Sequence, residues 1–380
     1  PIKNFPEGMS PAVRKELTEK YTAAIHDRII PAYKKLRDFI QNDYLPRTRD
    51  SVGLKALPGG SAWYAYLARR STTTDLSPAE IHRIGLAEVK RIRGEMERVK
   101  GEGEFDGDLR AFFDFLNENP DFYFDDKEEL LAGYRGLRER IHRNAANLFD
   151  RFPEADYEIR AVEPFRERSA SGASYRAATP DGSRPGVFYV NTYDIKARPK
   201  WAMESLFLHE AIPGHHFQIS LQREIEDLPR FRRFGGFTAF SEGWGLYSEG
   251  LGKELGVYRD PYQYFGALQA ELWRALRLVV DTGLHDQDWS RERVLAYMYE
   301  NSAVKEARAV SEAERYIAIP GQALAYKVGQ LKISELRARA EKKLGKKFDL
   351  KKFHTVILAD GALPLDVLEA KVDRWIDQLL

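Results

Sequence analysis

The sequence predicts a mostly helical protein of the α+β class, with one small sheet placed directly before a histidine-rich helix. Three observations carry this. Helix-start signals recur at Ser10-Pro11, Ser77-Pro78-Ala79-Glu80 and Asp260-Pro261, each opening a long run that reads as helix. Alternating or clustered β patterns bounded by Gly and Pro gather only between residues 157 and 191. With 380 residues, 43% of them hydrophobic and 31% charged, the chain can bury a large core as one big helical unit or two lobes.

In order, Ser10 caps a helix expected to reach about residue 42, with Ile25, Ile29, Ile30, Tyr33 and Leu36 facing inward and Pro31 kinking it. A Pro58-Gly59-Gly60 loop precedes the aromatic run Trp63-Tyr64-Ala65-Tyr66. Ser77 and Glu80 form a capping box, and the helix they open, to about 99, carries Lys and Arg that read as a solvated face. Asp126 caps a helix to about 149. Residues 1–150 therefore read as a helical lobe and 151–380 as the region with the sheet and the histidine helix. The expected strands are 157–162, 173–177 and 186–191. Such a sheet can offer an edge to an extended peptide, with Tyr189 and Asn191 as candidate contacts. Residues 240–249 read as helix despite their glycines, and Asp260 caps a helix to about 282 that ends at Gly283-Leu284-His285. Ser290 starts another to about 300. Residues 313–319 and 322–343 form a pair broken at Pro320-Gly321, and two last helices close the chain, the second over 364–379.

Composition excludes several classes. Lys and Arg number 59 against 58 Asp and Glu, a net charge of +1, which gives no sign of a nucleic-acid protein. The absence of Cys rules out disulfides, Cys-ligated zinc and thiol nucleophiles, so any metal is held by His and carboxylate. No run of 18 apolar residues exists to span a membrane. The start, Pro1-Ile2-Lys3-Asn4, is neither a signal peptide nor a Met start; the chain looks trimmed, and its compartment is not readable.

Three of the eight histidines fall in the stretch 209–216, His209-Glu210-Ala211-Ile212-Pro213-Gly214-His215-His216. A neutral imidazole is the commonest metal ligand, and a Glu beside a ligating His is placed to take a proton from metal-bound water. The usual zinc-protease pattern puts two His at i and i+4 on one helical face. Here that position is Pro213, and in a regular helix His215 points roughly 120° away from His209 while His216 lies roughly 10.5 Å further along. Pro213-Gly214 supplies a distortion: a bulge absorbing two residues as the helix continues brings in His215, and one absorbing three brings in His216. The smaller insertion costs less, so His215 is the expected second ligand and His216 the alternative. A catalytic zinc takes three protein ligands, and Glu242, 27 positions beyond His215 among small residues, is the expected third. Glu249, two turns further on, is placed to orient a histidine ring.

Four motifs in order, at 209–218, 240–250, 280–285 and 315–329, together resemble a large bacterial family known as domain of unknown function 885, grouped with the thermolysin-like zinc peptidases called gluzincins. The resemblance runs from about residue 64 to about 332, and members of that family are typically longer at the N-terminus. Dipeptidyl peptidase III is similar in one respect, a widened gap between the two histidines with Gly before the second. The resemblance implies a large zincin-like helical fold and one zinc ion per chain. It also implies Glu210 as general base, Tyr326 and His285 as donors to the oxyanion, and Arg315 as a grip on a substrate carboxylate. The expected activity is hydrolysis of short or unfolded peptides. The alternatives are a metal-dependent amidase or esterase on a small molecule, and a non-catalytic zinc-binding protein in which His216 closes the site as fourth ligand.

Overall fold

Side-chain caps start the helices as their sequence signals require. Ser10, Asp126, Asp260 and Ser290 each accept a backbone N–H from the first turn, and Ser77 with Glu80 closes a full capping box. The structure is a computed structural model that describes residues 4–380 and divides into two units, Pro1–Val52 and Gly53–Leu380. The chain start read above, Pro1-Ile2-Lys3, lies outside the described residues.

The first unit is a nearly unbroken helix: α1 (Pro11–Ala24), a π turn (Ile25–Ile29), α2 (Ile30–Phe39), a second π turn (Ile40–Tyr44) and a final 3-10 turn (Leu45–Arg47). Each π turn ends two residues before a proline, Pro31 or Pro46. The wider turn makes room for a ring that cannot donate to the preceding turn. The expected inward face is not realised. Ile25 is only half-buried, and Ile29, Ile30, Tyr33 and Leu36 are exposed, because no second element of this unit packs on the helix.

The second unit begins with α3 (Gly60–Thr72), α4 (Pro78–Glu102), α5 (Leu109–Glu118) and α6 (Lys127–Ala145), followed by the three strands β1 (Tyr157–Ala161), β2 (Ala173–Arg176) and β3 (Gly186–Val190). It continues with α7 (Met203–Glu210), α8 (His215–Arg223), the single turn α9 (Arg230–Arg233), α10 (Thr238–Gly250) and α11 (Pro261–His285). After these come α12 (Arg291–Asn301), α13 (Glu306–Ala318), α14 (Ala325–Leu344), α15 (Leu350–Leu358) and α16 (Leu365–Leu379). The division expected near residue 150 is thus replaced by one after Val52. The cause is packing: α4 lies so close along α11 that a Cβ on Gly85 would stand 2.8 Å from Leu278 and Val279. The buried Lys327 ammonium of α14 then binds Glu88 of α4 at 2.9 Å and Glu271 of α11 at 2.6 Å. Losing one partner of such a buried network costs several kcal/mol, so these helices stay together.

β3 is the middle strand, parallel to β1 and antiparallel to β2, and all five of its residues are buried. Phe188 packs edge-on against Tyr134 and Phe207, at 5.1 and 5.7 Å between ring centroids, which seats the sheet on α6 and α7. This removes Tyr189 and Asn191 from the strand edge expected for them. Tyr189 is buried beneath the Arg166 guanidinium, 4.6 Å from its ring, and the Asn191 amide donates to the carbonyls of Glu167 and Ala170. The sheet's edges are β1 and β2.

Asp281, fully buried in α11, ties three segments together. It accepts from the Tyr64 hydroxyl of α3 at 2.6 Å and from the Gly321 N–H at 2.9 Å, where the chain turns with φ of +81° into α14. Burial outweighs these two bonds and raises its pKa from 3.8 to about 7. Between those values the folded chain holds a proton the unfolded chain has released, so the Asp281 contribution to stability falls as pH rises from about 4 to about 7. Denaturant unfolding across that window is expected to show wild type losing about 1 kcal/mol per pH unit relative to Asp281→Asn. Parallel pH profiles for the two proteins would refute the assignment.

Candidate metal centre

Helix α7 does not continue through the Pro-Gly pair as expected. It stops at Glu210, residues 211–214 form a tight bend with a cis Ile212-Pro213 bond, and α8 starts afresh at His215. The break replaces the expected bulge for a steric reason. Gly214 lies directly on the end of α7, where a Cβ would stand 1.9 Å from the His209 carbonyl oxygen, so only glycine fits this bend. The bend is held from outside, by the Trp244 indole of α10, whose Nε1–H donates to the Pro213 carbonyl at 2.7 Å.

This break brings three expected ligands together. His209 Nε2 and His215 Nε2 each lie 3.4 Å from Glu242 Oε2, and one ligand atom from each of the three residues falls within 4.8 Å of the others. Charge-assisted hydrogen bonds are usually about 2.7–2.9 Å long. Tetrahedral zinc with bonds of about 2.0–2.1 Å has ligand-to-ligand edges near 3.4 Å, so the donor set and its spacing fit zinc. Three residues of α10 serve this cluster. Glu242 faces the histidines, Trp244 grips the bend, and Gly245 leaves a flat bed for the His209 ring, since a Cβ there would stand 2.7 Å from His209 Cε1. Glu249 takes the other face of the same ring, with Oε1 2.7 Å from His209 Nδ1. That contact makes Nδ1 the donor and turns Nε2 toward Glu242 and His215 as metal ligation requires.

The electrostatics favour a cation. Burial opposes the charged form of His209, but Glu242 and Glu249 prevail and raise its pKa to about 10. Burial likewise pushes Glu242 up, and the two histidines outweigh it and hold the carboxyl well below the usual range. A buried site with two carboxylates on one imidazole is built to hold positive charge.

Other expected residues stand as follows. His216 points away from the cluster: fully buried, it meets the Tyr175 hydroxyl at 2.9 Å, stacks near Tyr157, and burial lowers its pKa to about 3. Glu210, half-buried at the end of α7, makes no hydrogen bond or ion pair among the described residues. His285 is not brought to the cluster. Its ring is buried and committed, with Nδ1 accepting from the Leu54 N–H at 3.1 Å and Nε2 facing the Tyr316 carbonyl at 3.0 Å. Tyr326 and Arg315 belong to a separate group. The Tyr326 ring lies 4.6 Å beneath the Arg277 guanidinium, and Arg315 bonds Glu312 and Gln322. The sequence reading missed Arg274, which approaches Glu249 at 3.4 Å, together with Trp273 and Arg277 beside it in α11. The signal was present in charged residues at 274 and 277 inside an otherwise apolar helix face.

Comparison with known proteins accords with this architecture. The family described as "Bacterial protein of unknown function (DUF885)" matches residues 1–372, and the chain belongs to that family. A crystal structure of a protein described as a "putative lipoprotein" from Colwellia psychrerythraea is 39% identical, with a TM-score of 0.95 over 99% of this chain. The chain spans 65% of that protein's length. A second structure, a "putative lipoprotein of unknown function" from Shewanella oneidensis, is 19% identical and shares the fold, with a TM-score of 0.72 over 96% of this chain and 67% of its own. No curated protein matches the chain.

Elemental analysis after zinc loading is expected to find about one zinc per chain in wild type and almost none in His215→Ala. His216→Ala should keep its zinc while losing about 1–3 kcal/mol of stability, through the orphaned Tyr175 hydroxyl and the cavity left beside Tyr157. The reverse pattern of zinc loss would assign the second ligand to His216.

Proposed function

We propose that this member of the family is a zinc-dependent hydrolase that cleaves peptide bonds in short or unfolded peptides, a gluzincin-type peptidase. The observation that carries the reading is the convergence of His209, His215 and Glu242 at zinc-like spacing with Glu249 behind the first ring. Three protein ligands, with His216 turned away toward Tyr175, fit an open catalytic site better than a closed structural one. A zinc ion held by these residues supplies Lewis acidity at the scissile carbonyl and a lowered water pKa.

The chain's own residues carry the proton. Glu210 follows the ligand His209 directly, and its carboxylate has no hydrogen-bond or ion-pair partner among the described residues, which leaves it able to accept a proton. Water attacks the carbonyl carbon as Glu210 takes its proton; the C–N bond then breaks, and Glu210 returns that proton to the departing amine. Glu249 fixes the tautomer and the orientation of the His209 ring throughout. His285 has no part in this scheme, since both its ring nitrogens are engaged in holding Leu54 and Tyr316. No described helix is long and apolar enough to cross a membrane. The lipoprotein description of the two relatives favours a location in the cell envelope.

Digestion of a mixed peptide library, read by mass spectrometry, is expected to yield cleavage that disappears with chelator and returns with zinc. Glu210→Gln should keep its zinc and lose about a thousandfold in kcat. A zinc-loaded wild type that cleaves nothing, or a Gln variant as active as wild type, would overturn the reading.

A further inference from the structure

Next to the metal cluster lies a concentration of positive charge that the chain does not neutralise. Trp273, Arg274 and Arg277 fall within an arc of about 100° on α11, and Arg308 and Arg315 of α13 face the same region. Four guanidiniums here share two carboxylates. Glu249 answers Arg274 at 3.4 Å, and Glu312 is divided between Arg277 at 2.9 Å and Arg315 at 3.3 Å.

Arg308 is left over. Its guanidinium sits 4.9 Å from the Trp273 ring and makes no ion pair or hydrogen bond among the described residues. It is open to solvent, yet desolvation, then the Arg274 and Arg277 charges, lower its pKa. Two donors beside it are also unanswered: Trp273 Nε1 and Arg274 Nε are buried with no hydrogen-bond partner among the described residues. Buried donors without partners destabilise the folded chain, and a ligand that accepts from them relieves that penalty.

We propose that Arg308, with the Trp273 indole and the Arg274 and Arg277 charges behind it, binds the free C-terminal carboxylate of a peptide substrate. This rests on the peptidase reading above and adds the substrate class, peptides with an unblocked C-terminus. A carboxylate suits the group because it accepts two parallel N–H bonds from one guanidinium and brings the negative charge the cluster lacks. The placement relative to the metal centre supports it. Arg274 and His209 contact the same Glu249 oxygen, so the positive cluster adjoins the metal centre through that carboxylate, with the Arg274 guanidinium within about 6 Å of His209 Nδ1.

Calorimetric titration of the zinc-loaded Glu210→Gln chain separates binding from turnover. The probes are one acetylated pentapeptide as free acid and as C-terminal amide. The acid is expected to bind about tenfold more tightly than the amide, and adding Arg308→Gln should bring the two within about threefold. Arg291→Gln, which removes a half-buried arginine paired with Glu314, should keep the full preference. Equal affinity for acid and amide, no binding of either, or a preference that survives Arg308→Gln overturns the inference. Acid-selective binding by a wild type that hydrolyses no peptide would instead defeat the peptidase reading and leave the carboxylate site standing.

Discussion

The structure around the cluster depends on how one imidazole is held. His209 is buried, lies flat on the backbone of α10 at Gly245, and has a carboxylate at each ring nitrogen, Glu249 at 2.7 Å and Glu242 at 3.4 Å. Buried charge of this kind survives only when paired and hydrogen-bonded. Any shift of α10 relative to α7 breaks all of these contacts together, so the rest of the unit can be understood as fixing those two helices.

Helix α10 does this with a short, dense sequence. Glu242, Trp244, Gly245 and Glu249 each meet α7 or the bend after it, while Gly243 meets Gly329 of α14 so closely that a Cβ would stand 2.5 Å from its Cα. Helices this close behave as one body, because interiors have little free volume to absorb a displacement. The motif at 315–329 therefore has two duties. Gly329 locks α14 onto α10, and Lys327 ties α14 to α4 and α11 through buried ion pairs.

Much of this was legible in the sequence, and the exceptions have physical causes. Capping side chains act locally, so Ser10, Ser77, Asp126, Asp260 and Ser290 announced their helices; alternating or clustered β residues bounded by Gly and Pro did the same for the three strands. The trio His209, His215 and Glu242 was readable because metal chemistry restricts residue types and spacing. What failed depended on partners distant in sequence. The apolar stripe of the first helix has the periodicity of a core face, but burial needs a neighbour that periodicity does not supply. Tyr189 and Asn191 looked available until strand order put β3 in the middle. His285 sits in a motif that resembles a catalytic one, while its ring is spent on Leu54 and Tyr316, 231 and 31 positions away. The arginines of α11 were passed over because a charged residue in a helix is more often a solvated one.

The broken helix also bears on how the centre assembles. In a protein with both histidines on one continuous helix, half the site exists as soon as that helix forms. Here the three donors come from α7, α8 and α10, and their relative position is enforced by contacts that involve no cation: an indole on a carbonyl, a glycine against a ring, a glycine against a glycine. On the zinc reading proposed above, the polypeptide would offer a finished receptor to which the ion is added afterwards. The ion would then be an exchangeable component, one whose occupancy follows its supply in the surroundings while the architecture stays intact.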